Sequence, residues 1–312
     1  MKYLVTGAAG FIGSNIIRTL LKENFNVRGF DNFSTGKRQN LQELEEVNNF
    51  ELIEGDLRNP DVIKKAVKDI DIIIHEAAVP SVQRSVENPV FVNDSNINGT
   101  LNLLMAASDE GVKKLIYASS SSIYGFNKKL PKKEDMPVEP ISPYALSKYT
   151  GERYCQIFSE IYNLPTICLR YFNVFGPRQD PNSTYSAAIP KFINLMLEDK
   201  QPVVFGDGEQ SRDFTYVKNV IEANMLAAKS NISGEVINIA CGERISINKV
   251  ITILNKILNK DIKPIYKKAR AGEVKHSLAD ISKARNQIGY KPEYKFIEGL
   301  KETVDWYKKK KV

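Results

Sequence analysis

Two hydrophobic patterns alternate along the first half of the chain, and this alternation limits the fold more than any other feature. Short β-branched runs are separated by amphipathic stretches of helical period, such as residues 11–23 and 61–69. Apolar runs of this length between helical segments are typical of βαβ units around a buried parallel sheet. We therefore predict an α/β fold with a doubly wound parallel sheet. Its predicted strands contain KYLVT, NVRGF, FELIEG, DIIIHEA, KLIYAS and TICLRYF.

The pattern becomes irregular after about Gly176, which indicates a second, smaller lobe. A chain of 312 residues is long enough for one large core and an appended lobe. We predict that residues 1–176 form the sheet domain and that residues 214–259 return to it through later helices. Residues 177–213 and 260–312 are predicted to form a mixed α/β carboxyl-terminal lobe that binds the substrate.

Composition and charge exclude several classes of protein. No apolar run reaches the roughly 18 to 20 residues that span a bilayer, and no signal-peptide cleavage pattern is present. We therefore expect a cytoplasmic protein without membrane contact. The formal net charge of +7 comes partly from the terminal YKKKKV, which is typical of a solvated tail, so we expect no nucleic-acid partner. Three widely separated cysteines and two isolated histidines predict neither a disulfide framework nor a metal site.

A glycine-rich turn lies between the first predicted strand and the first predicted helix. Glycines at such a point let backbone N–H groups approach a pyrophosphate, and the helix N-terminus adds a favourable dipole. Asp31 ends the second predicted strand, near the spacing expected for a carboxylate that binds ribose hydroxyls and repels a 2′-phosphate. NAD is therefore favoured over NADP, although Lys37 and Arg38 leave NADP open. The three glycines are Gly7, Gly10 and Gly13.

Asp56 and Leu57 follow the third predicted strand, and two compatible interpretations apply to them. They could contact an adenine ring, with the Asp56 carboxylate accepting from the exocyclic amine. Asp56 could equally cap the helix that begins near NPDVI.

Tyr144 and Lys148 are four residues apart and share one face of a helix that we predict from about residue 143 to residue 162. A free tyrosine titrates near 10, so a tyrosine that acts as a base at pH 7 needs about 4 kcal/mol of phenolate stabilisation. An ammonium about 4 Å away supplies an energy of that order at an effective dielectric near 20. Four serines end the fifth predicted strand nearby. In an extended segment Ser120 and Ser122 would face the site, and Ser121 would face away in a structural role.

These motifs together resemble the extended short-chain dehydrogenase/reductase family, and within it the nucleotide-sugar 4-epimerases, most of all those that act on UDP-N-acetylglucosamine. The resemblance rests on TGAAGFIG, the serines at the strand end, YxxxK, LRYFNVFGPRQ and SRDFTYV, and it covers nearly the whole chain. It implies a Rossmann-type domain with tightly bound NAD that is regenerated in each cycle, a UDP-sugar substrate, and a homodimer held by a helix bundle. Tyr144 is implied as the base, Lys148 as the residue that binds the nicotinamide ribose, and Ser120 as the hydrogen-bond partner of the sugar's 4-oxygen.

The resemblance also implies binding residues for the cofactor and the substrate. Arg212 and Arg270 match arginines that clamp a diphosphate, which suits the planar guanidinium. Asp213 could pair with a neighbouring arginine. Phe205 and Glu273 match positions that line the uridine. The implied cofactor-binding residues are Gly7, Gly10, Phe11, Ile12, Gly13, Asp31, Asn32, Asp56, Leu57, Ala77, Ala78, Asn96, Tyr144 and Lys148. The implied substrate-binding residues are Ser122, Asn173, Phe205, Arg212, Arg270, Glu273 and Ser277.

Ser121 and Ser122 exclude two related chemistries. Similar sugar dehydratases carry Asp-Glu at these two positions because elimination of water needs a second acid/base pair. Similar UDP-glucuronate decarboxylases keep a glutamate at the second position. Reversible oxidation at C4 without elimination, which is epimerisation, remains as the expected reaction.

Two positions bear on the identity of the sugar. Galactose-restricted relatives carry a bulky tyrosine at the position of Ser277, whose small side chain leaves volume for an N-acetyl group at C2. UDP-glucuronate-selective relatives tend to carry an arginine directly after GPRQ, where this chain has Asp180. We therefore expect interconversion of UDP-GlcNAc and UDP-GalNAc, with UDP-glucose tolerated. The alternatives are a UDP-glucuronate 4-epimerase, a galactose-restricted 4-epimerase and, in a different class, a non-catalytic NAD-binding sensor.

Overall fold

The computed structural model describes residues 1–181, 188–269 and 274–311, and within them the chain forms thirteen strands and eleven α-helices. The strands are β1 (Lys2–Thr6), β2 (Asn26–Asp31), β3 (Phe50–Glu54), β4 (Ile72–His75), β5 (Lys114–Ser120), β6 (Thr166–Tyr171), β7 (Val174–Phe175), β8 (Val203–Phe205), β9 (Ser211–Arg212), β10 (Thr215–Tyr216), β11 (Glu235–Ile239), β12 (Ile245–Ser246) and β13 (Ile265–Lys267). The helices are α1 (Phe11–Lys22), α2 (Pro60–Val67), α3 (Val82–Glu87), α4 (Pro89–Asn93), α5 (Gly99–Asp109), α6 (Pro143–Ile161), α7 (Ala188–Leu197), α8 (Val217–Lys229), α9 (Ile247–Leu258), α10 (Ser282–Ile288) and α11 (Phe296–Lys311).

Seven of the strands form one parallel sheet in the order β11-β6-β5-β4-β1-β2-β3. The chain builds the sheet outward from β1 to β3 and then crosses back to β4, so the strand order reverses between β1 and β4. Open parallel sheets bind ligands at such a switch point, beyond the carboxyl ends of their strands. The predicted doubly wound, Rossmann-type sheet is confirmed.

Alternate side chains of each central strand enter two different hydrophobic cores. Leu4, Ile73 and Leu115 pack on one face of the sheet with residues of α2, α5 and α6. Val5, Ile74 and Ile116 pack on the other face with residues of α1, α8 and α9. Both faces of the sheet are therefore buried, which explains why these strands are nearly continuous apolar runs.

Helix α6, which carries the YxxxK motif, begins at a local signal. Ser142 is its N-cap, and the Ser142 Oγ accepts from the backbone N–H of Ala145 at 3.1 Å. Pro143 occupies the first helical position, where a missing N–H costs nothing. Both ends of α6 agree with the predicted helix within one residue.

Three two-stranded sheets lie outside the large sheet in the part of the chain that the structure describes: β7 with β10, β8 with β13 and β9 with β12. β11 lies at the edge of the large sheet beside β6, with Val236 opposite Cys168. β12, in contrast, pairs with β9 through Ile245 and Arg212. The division of the chain into a sheet domain and a carboxyl-terminal lobe stays a prediction.

Candidate active site

A cleft of about 1340 Å³ runs along the edge at which the strands of the large sheet end. Residues directly after β1 to β6 line it, and so does the carboxyl-terminal segment 274–277. Most of the predicted site residues are brought together here. The predicted residues of the glycine-rich turn that line the cleft are Gly7, Gly10, Phe11, Ile12 and Gly13.

The glycine-rich turn allows a close approach of backbone to backbone. Gly7 has φ +67°, and a Cβ at this position would lie 2.7 Å from the backbone nitrogen of Ala77. A Cβ on Gly13 would collide with the carbonyl oxygen of Gly7. Helix α1 begins at Phe11 with Gly10 as its N-cap, and its first turn has neither a side-chain cap nor an acidic residue. The N–H groups of this turn have no acceptor within the helix, so they fit the pyrophosphate of a dinucleotide.

Asp31 ends β2 and lines the same part of the cleft. Its carboxylate accepts from the backbone N–H groups of Ala9 and Phe33, each at 2.8 Å. Burial raises the pKa of Asp31, while these backbone N–H groups lower it. A carboxylate held in this way can accept from ribose hydroxyls and would repel a 2′-phosphate.

Lys37 and Arg38, the two cations that could have bound the 2′-phosphate of NADP, are both paired with carboxylates. The Lys37 ammonium lies 2.7 Å from the Asp180 carboxylate. Arg38 pairs with Glu54, and its guanidinium lies 4.1 Å from the centroid of the Phe33 ring. A 2′-phosphate would therefore find these cations already neutralised, so the structure favours NAD.

Asp56 lines the cleft after β3, and the interpretation of this residue as a helix cap is wrong. Its carboxylate accepts from the Asn32 amide at 2.7 Å and from the backbone and guanidinium of Arg58. The hydrogen bonds from Arg58 hold the pKa of Asp56 well below its usual range. Asn59, which directly precedes α2, is the cap, and its Oδ1 accepts from a first-turn N–H at 3.1 Å. The adenine contact of Asp56, with Asn32 and Leu57 beside it in the cleft lining, stays a prediction.

Ala77 and Ala78 follow β4 and line the cleft, whereas Asn96 lies behind its wall. The buried Asn96 side chain is hydrogen-bonded to the backbone N–H of Val79 at 2.8 Å and to the Ser147 hydroxyl at 3.0 Å. These contacts hold the segment after β4 against α6. We therefore propose a supporting role for Asn96, and its direct contact with the cofactor stays a prediction.

Ser120, Tyr144 and Lys148 meet at the carboxyl end of β5. The Ser120 side chain lies close enough to Tyr144 to lower the pKa of the Tyr144 hydroxyl. The buried Lys148 ammonium donates to the carbonyl oxygen of Ala118, two residues before Ser120, at 2.8 Å. The three predicted catalytic residues therefore lie around one strand end, although their catalytic roles stay predictions.

The electrostatic environment of Tyr144 differs from that of a free tyrosine. Burial raises the pKa of Tyr144, the nearby Ser120 side chain lowers it, and the Glu76 carboxylate raises it. Burial also lowers the pKa of Lys148 to about 8. Burial dominates the pKa of Tyr144 here, and the Lys148 ammonium donates to the Ala118 carbonyl, so the stabilisation of the Tyr144 phenolate by Lys148 stays a prediction.

The serine run does not remain extended as predicted. β5 ends at Ser120, and residues Ser121–Tyr124 form a 3₁₀ turn in which the Ser120 Oγ accepts from the Ser122 N–H at 3.2 Å. The period-two argument fails beyond Ser120 because a helical turn redirects the side chains. Ser121 and Ser122 both line the cleft, so the prediction that Ser121 faces away is wrong. The buried Ser122 Oγ has no hydrogen-bond partner among the described residues, which suits contact with a ligand hydroxyl.

Three predicted substrate residues, Asn173, Arg212 and Ser277, line the cleft. The Arg212 guanidinium donates to the carbonyl oxygens of Ser211 and Lys275, each at 3.0 Å. The Ser277 N–H also donates to the Ser211 carbonyl at 3.0 Å, so Ser277 lies beside the strand that carries Arg212. Their contacts with a substrate stay predictions.

The structure supports no cleft contact for the three remaining predicted substrate residues. Phe205 is the last residue of β8 and does not line the cleft. The predicted uridine contact of Phe205 therefore has no support from its position. Arg270 and Glu273 lie outside the described residues.

The buried Asp213 carboxylate is satisfied by backbone groups, so the predicted pairing with an arginine is wrong. It accepts from the N–H groups of Cys241, Gly242 and Ala279 at 2.9 to 3.2 Å. Burial raises the pKa of Asp213 to about 6, against the lowering effect of these N–H groups. Asp213 therefore ties the segment after β9 to two distant segments and has a structural role.

Sequence reasoning missed a carboxylate in the cleft. Glu76 directly follows β4 and lines the cleft together with Tyr171, the last residue of β6. The Tyr171 hydroxyl donates to the Glu76 Oε1 at 2.7 Å. Burial raises the pKa of Glu76 to about 7. Its position as an acid at the carboxyl end of a predicted parallel strand was the signal that could have identified it.

The two histidines have different surroundings. His75 is fully buried, with Nδ1 at 2.7 Å from the Thr6 hydroxyl and Nε2 at 2.9 Å from the Thr100 hydroxyl. His276 lines the cleft, with Nδ1 at 2.9 Å from the Ser211 hydroxyl. Within the described ranges, no three His, Cys, Asp or Glu side chains form a group that could hold a metal ion. No helix in those ranges is both long and apolar enough to cross a membrane.

We expect acid to destabilise the fold through His75. Burial lowers the pKa of His75 to about 3, whereas the unfolded chain titrates near 6.5. The unfolded chain thus binds the proton first. The stability from neutral His75 is fully present above about pH 6.5 and falls by up to about 1.4 kcal/mol per pH unit toward about pH 3. Urea unfolding between pH 7 and pH 5 measures this slope. His75→Gln should flatten it, and an unchanged slope in that variant would contradict the assignment.

Comparison with known proteins identifies the family of the chain. Residues 3–240 match the model of the NAD dependent epimerase/dehydratase family. The chain is 40% identical over 307 residues to a putative UDP-glucose 4-epimerase of Methanocaldococcus jannaschii, with 98% of each chain covered. It is 41% identical over 315 residues to a UDP-glucuronate 4-epimerase of Thermodesulfobacterium geofontis, with 98% of this chain and 96% of the relative covered.

Solved structures agree with these relatives over the whole fold. A UDP-N-acetylglucosamine 4-epimerase from Methanobrevibacter ruminantium M1, in complex with UDP-N-acetylmuramic acid, superposes with a TM-score of 0.95 at 45% identity, covering 99% of this chain and 98% of the other. A UDP-glucuronic acid 4-epimerase from Bacillus cereus, in complex with UDP-glucuronic acid and NAD, gives a TM-score of 0.92 at 40% identity, with 99% of each chain covered. The chain therefore belongs to the NAD dependent epimerase/dehydratase family, as its motifs predicted.

Proposed function

We propose that this NAD-dependent UDP-sugar 4-epimerase interconverts UDP-GlcNAc and UDP-GalNAc, with UDP-glucose and UDP-galactose as a second substrate pair. The observation that carries the choice of sugar is Ser277, a small residue that lines the cleft beside the strand of Arg212. Its side chain leaves volume for an N-acetyl group at C2. The likeness to the UDP-N-acetylglucosamine 4-epimerase of M. ruminantium supports the same choice.

Tyr144 and Ser120 handle the proton of the sugar's 4-hydroxyl. Both side chains line the cleft, and Ser120 lies close enough to Tyr144 to lower its pKa, so we infer that one sugar oxygen can contact both hydroxyls. Tyr144, as phenolate, takes the proton of the 4-hydroxyl while Ser120 holds the 4-oxygen in place. When bound, NAD would supply the hydride acceptor for C4 and a positive charge in the cleft. Tyr144 returns its proton when the 4-keto sugar is reduced on its opposite face.

The chain holds its cofactor at three points of the cleft. The first turn of α1 would bind the pyrophosphate, and the Asp31 carboxylate would bind the adenosine ribose. Lys148, anchored on the Ala118 carbonyl, retains further N–H donors for the nicotinamide ribose. Ser121 and Ser122 place hydroxyls where an elimination would need an acid/base pair, which supports epimerisation.

UDP-glucuronate is the second candidate substrate, and Lys132 is the observation that favours it. Lys132 is 4% exposed and lines the cleft. Its backbone N–H donates at 2.7 Å to the carbonyl of Leu278, the residue after Ser277, and its ammonium donates to the carbonyl of Asn127. A buried cation close to the position of Ser277 would suit a sugar carboxylate.

Product analysis tests the proposal. The protein as purified, with no added cofactor, is incubated separately with UDP-GlcNAc, UDP-glucose and UDP-glucuronate, and the nucleotide sugars are separated by chromatography. Conversion of UDP-GlcNAc to UDP-GalNAc supports both the sugar and the retained NAD. Faster turnover of UDP-glucuronate than of UDP-GlcNAc would overturn the choice of sugar. Conversion of UDP-glucose alone would overturn the proposal that Ser277 leaves volume for the N-acetyl group.

Replacing Ser277 by tyrosine should make the cleft selective against the N-acetyl group. The ring would fill the volume that Ser277 leaves, so kcat/KM for UDP-GlcNAc should fall by about 10- to 200-fold, the usual range for a steric mismatch in a pocket. The value for UDP-glucose should change by less than about threefold. Ser277→Ala is the matched control and should retain both activities. An equal loss with the two sugars would contradict the steric role of this position.

We also propose that the protein is a homodimer through helices α3 to α6. Val86, Val90, Met105 and Leu146 on these contacting helices are 64%, 78%, 41% and 51% exposed. Exposed aliphatic side chains on neighbouring helices are typical of an interface. Sedimentation velocity should give about twice the chain mass, and Val90→Asp should shift the protein to monomers. A wild-type protein that sediments as a monomer at micromolar concentration would contradict the dimer.

A further inference from the structure

Glu76 lies between the glycine-rich turn and the catalytic residues. It directly follows β4, which lies between β1 and β5 in the sheet. The Glu76 N–H donates to the carbonyl of Thr6 at the end of β1 at 3.3 Å. The register of β4 and β5 places Glu76 beside Ala118, whose carbonyl binds the Lys148 ammonium. The backbone of Glu76 is therefore adjacent both to the predicted pyrophosphate site and to the strand end where hydride transfer is expected.

The Glu76 side chain is held by a directed chain of hydrogen bonds. The Asn224 amide donates to the carbonyl of Val220 and to the hydroxyl of Tyr171, each at 2.8 Å. Because the Tyr171 oxygen accepts from Asn224, its own proton is directed to the Glu76 Oε1 at 2.7 Å. This hydrogen bond and the charge of Lys148 favour the carboxylate, against the effect of burial on the pKa of Glu76.

Glu76 differs from the other carboxylates that line the cleft. Asp56 pairs with Arg58, and Asp180 pairs with Lys37. Asp31 accepts from two backbone N–H groups. Glu76, within the described part of the chain, accepts from a neutral hydroxyl instead. Lys148 acts on the Glu76 carboxylate without forming a salt bridge with it in the described structure, so the carboxylate can also act on a cationic group in the cleft.

We propose that Glu76 is a positioning carboxylate that stabilises the oxidised, positively charged nicotinamide over the neutral reduced form. The inference rests on the proposed function, which places the nicotinamide beside Tyr144 and Lys148. A carboxylate near that ring interacts with its charge by Coulomb attraction, and the attraction is lost when the ring is reduced. An epimerase needs this preference for the oxidised cofactor, because the hydride taken from the sugar must return to it before the next cycle.

The test compares the binding of NAD and NADH without any sugar. The holoprotein is dialysed against a fixed mixture of NAD and NADH until the bound ratio is constant, and the bound dinucleotides are released and quantified by chromatography. Glu76→Gln keeps the size of the side chain and an acceptor for Tyr171. We expect the bound NADH:NAD ratio to rise about tenfold in this variant, which equals about 30 mV in a two-electron potential.

Three further variants make the outcome decisive. Glu76→Leu removes the charge without adding an amide, and it should give the same shift if the glutamine variant does not fold. Tyr171→Phe keeps the carboxylate but loses its hydrogen bond, so we expect a smaller shift in the same direction. Asp180→Asn removes a carboxylate next to Lys37, and the ratio should stay within about twofold of wild type.

An unchanged ratio in the Glu76 variants, or an equal shift in Asp180→Asn, would overturn the proposal. No sugar is present, so failure of this test is distinguishable from failure of the product analysis.

Discussion

Replacing Tyr144 by phenylalanine should lower kcat for UDP-GlcNAc by about 10²- to 10⁴-fold, the usual contribution of a positioned acid/base group. The substitution removes only the Tyr144 hydroxyl, whose pKa the nearby Ser120 lowers. The ring remains on α6, so the walls of the cleft are kept. We expect the Kd for UDP, measured by calorimetry, to change by less than about twofold, because loss of a group that acts only in the transition state leaves ground-state binding intact.

Tyr149→Phe is the matched control for this experiment. Tyr149 lies on the same helix, but its ring packs against a small hydrophobic core and does not line the cleft. Its variant should keep kcat within about twofold of wild type, because it removes no group from the site. Near-wild-type turnover in Tyr144→Phe would remove Tyr144 as the base, and an equal loss in both variants would indicate damage to α6 rather than to the chemistry.

Replacing Glu152 by alanine should destabilise the protein by about 3 to 5 kcal/mol, the range for a buried ion pair that loses one partner. The Arg170 Nε and Nη2 atoms each lie 2.9 Å from a Glu152 oxygen, and the side chains are 4% and 1% exposed. Without Glu152, the guanidinium charge stays buried without its carboxylate. Urea unfolding at pH 7 measures the loss of free energy.

A double variant separates the cost of an unpaired charge from the cost of lost packing. Glu152→Leu with Arg170→Met removes both charges, and it should recover most of the stability that Glu152→Ala loses, since an apolar replacement of a buried pair is often neutral. A loss below about 1 kcal/mol in Glu152→Ala would contradict the expected contribution of the pair. Because Glu152 also accepts from Ser119, next to Ser120, the single variant should impair the site as well as the fold.

Local patterns predicted most of the fold correctly. The five strands of the first half lie where the β-branched runs placed them, within two residues, and both ends of helix α6 lie within one residue of the predicted helix. The glycine-rich turn and Asp31 also line one cleft as predicted. These features depend on side-chain periodicity and on residues close in the chain, which a sequence contains directly.

Predictions of hydrogen-bond partners, of side-chain direction and of pKa were less accurate than predictions of helices and strands. Strand alternation was extended one turn too far along the serine run, because a 3₁₀ turn begins at Ser121. The phenolate argument for Tyr144 omitted the cost of burial, which dominates its pKa. Asp213 accepts from backbone groups of distant segments and does not pair with an arginine as predicted.

The amino-acid sequence by itself determined the parallel sheet, the phosphate-binding turn and the grouping of Ser120, Tyr144 and Lys148, since each follows from short-range spacing and from the convergence of parallel strand ends. Only the tertiary structure decided the partners of the charged side chains. It paired Lys37 with Asp180 and directed Tyr171 to Glu76, contacts that join residues 143 and 95 positions apart in the chain. Burial and hydrogen-bond partners of this kind depend on which distant segments pack together, and no local pattern contains that information.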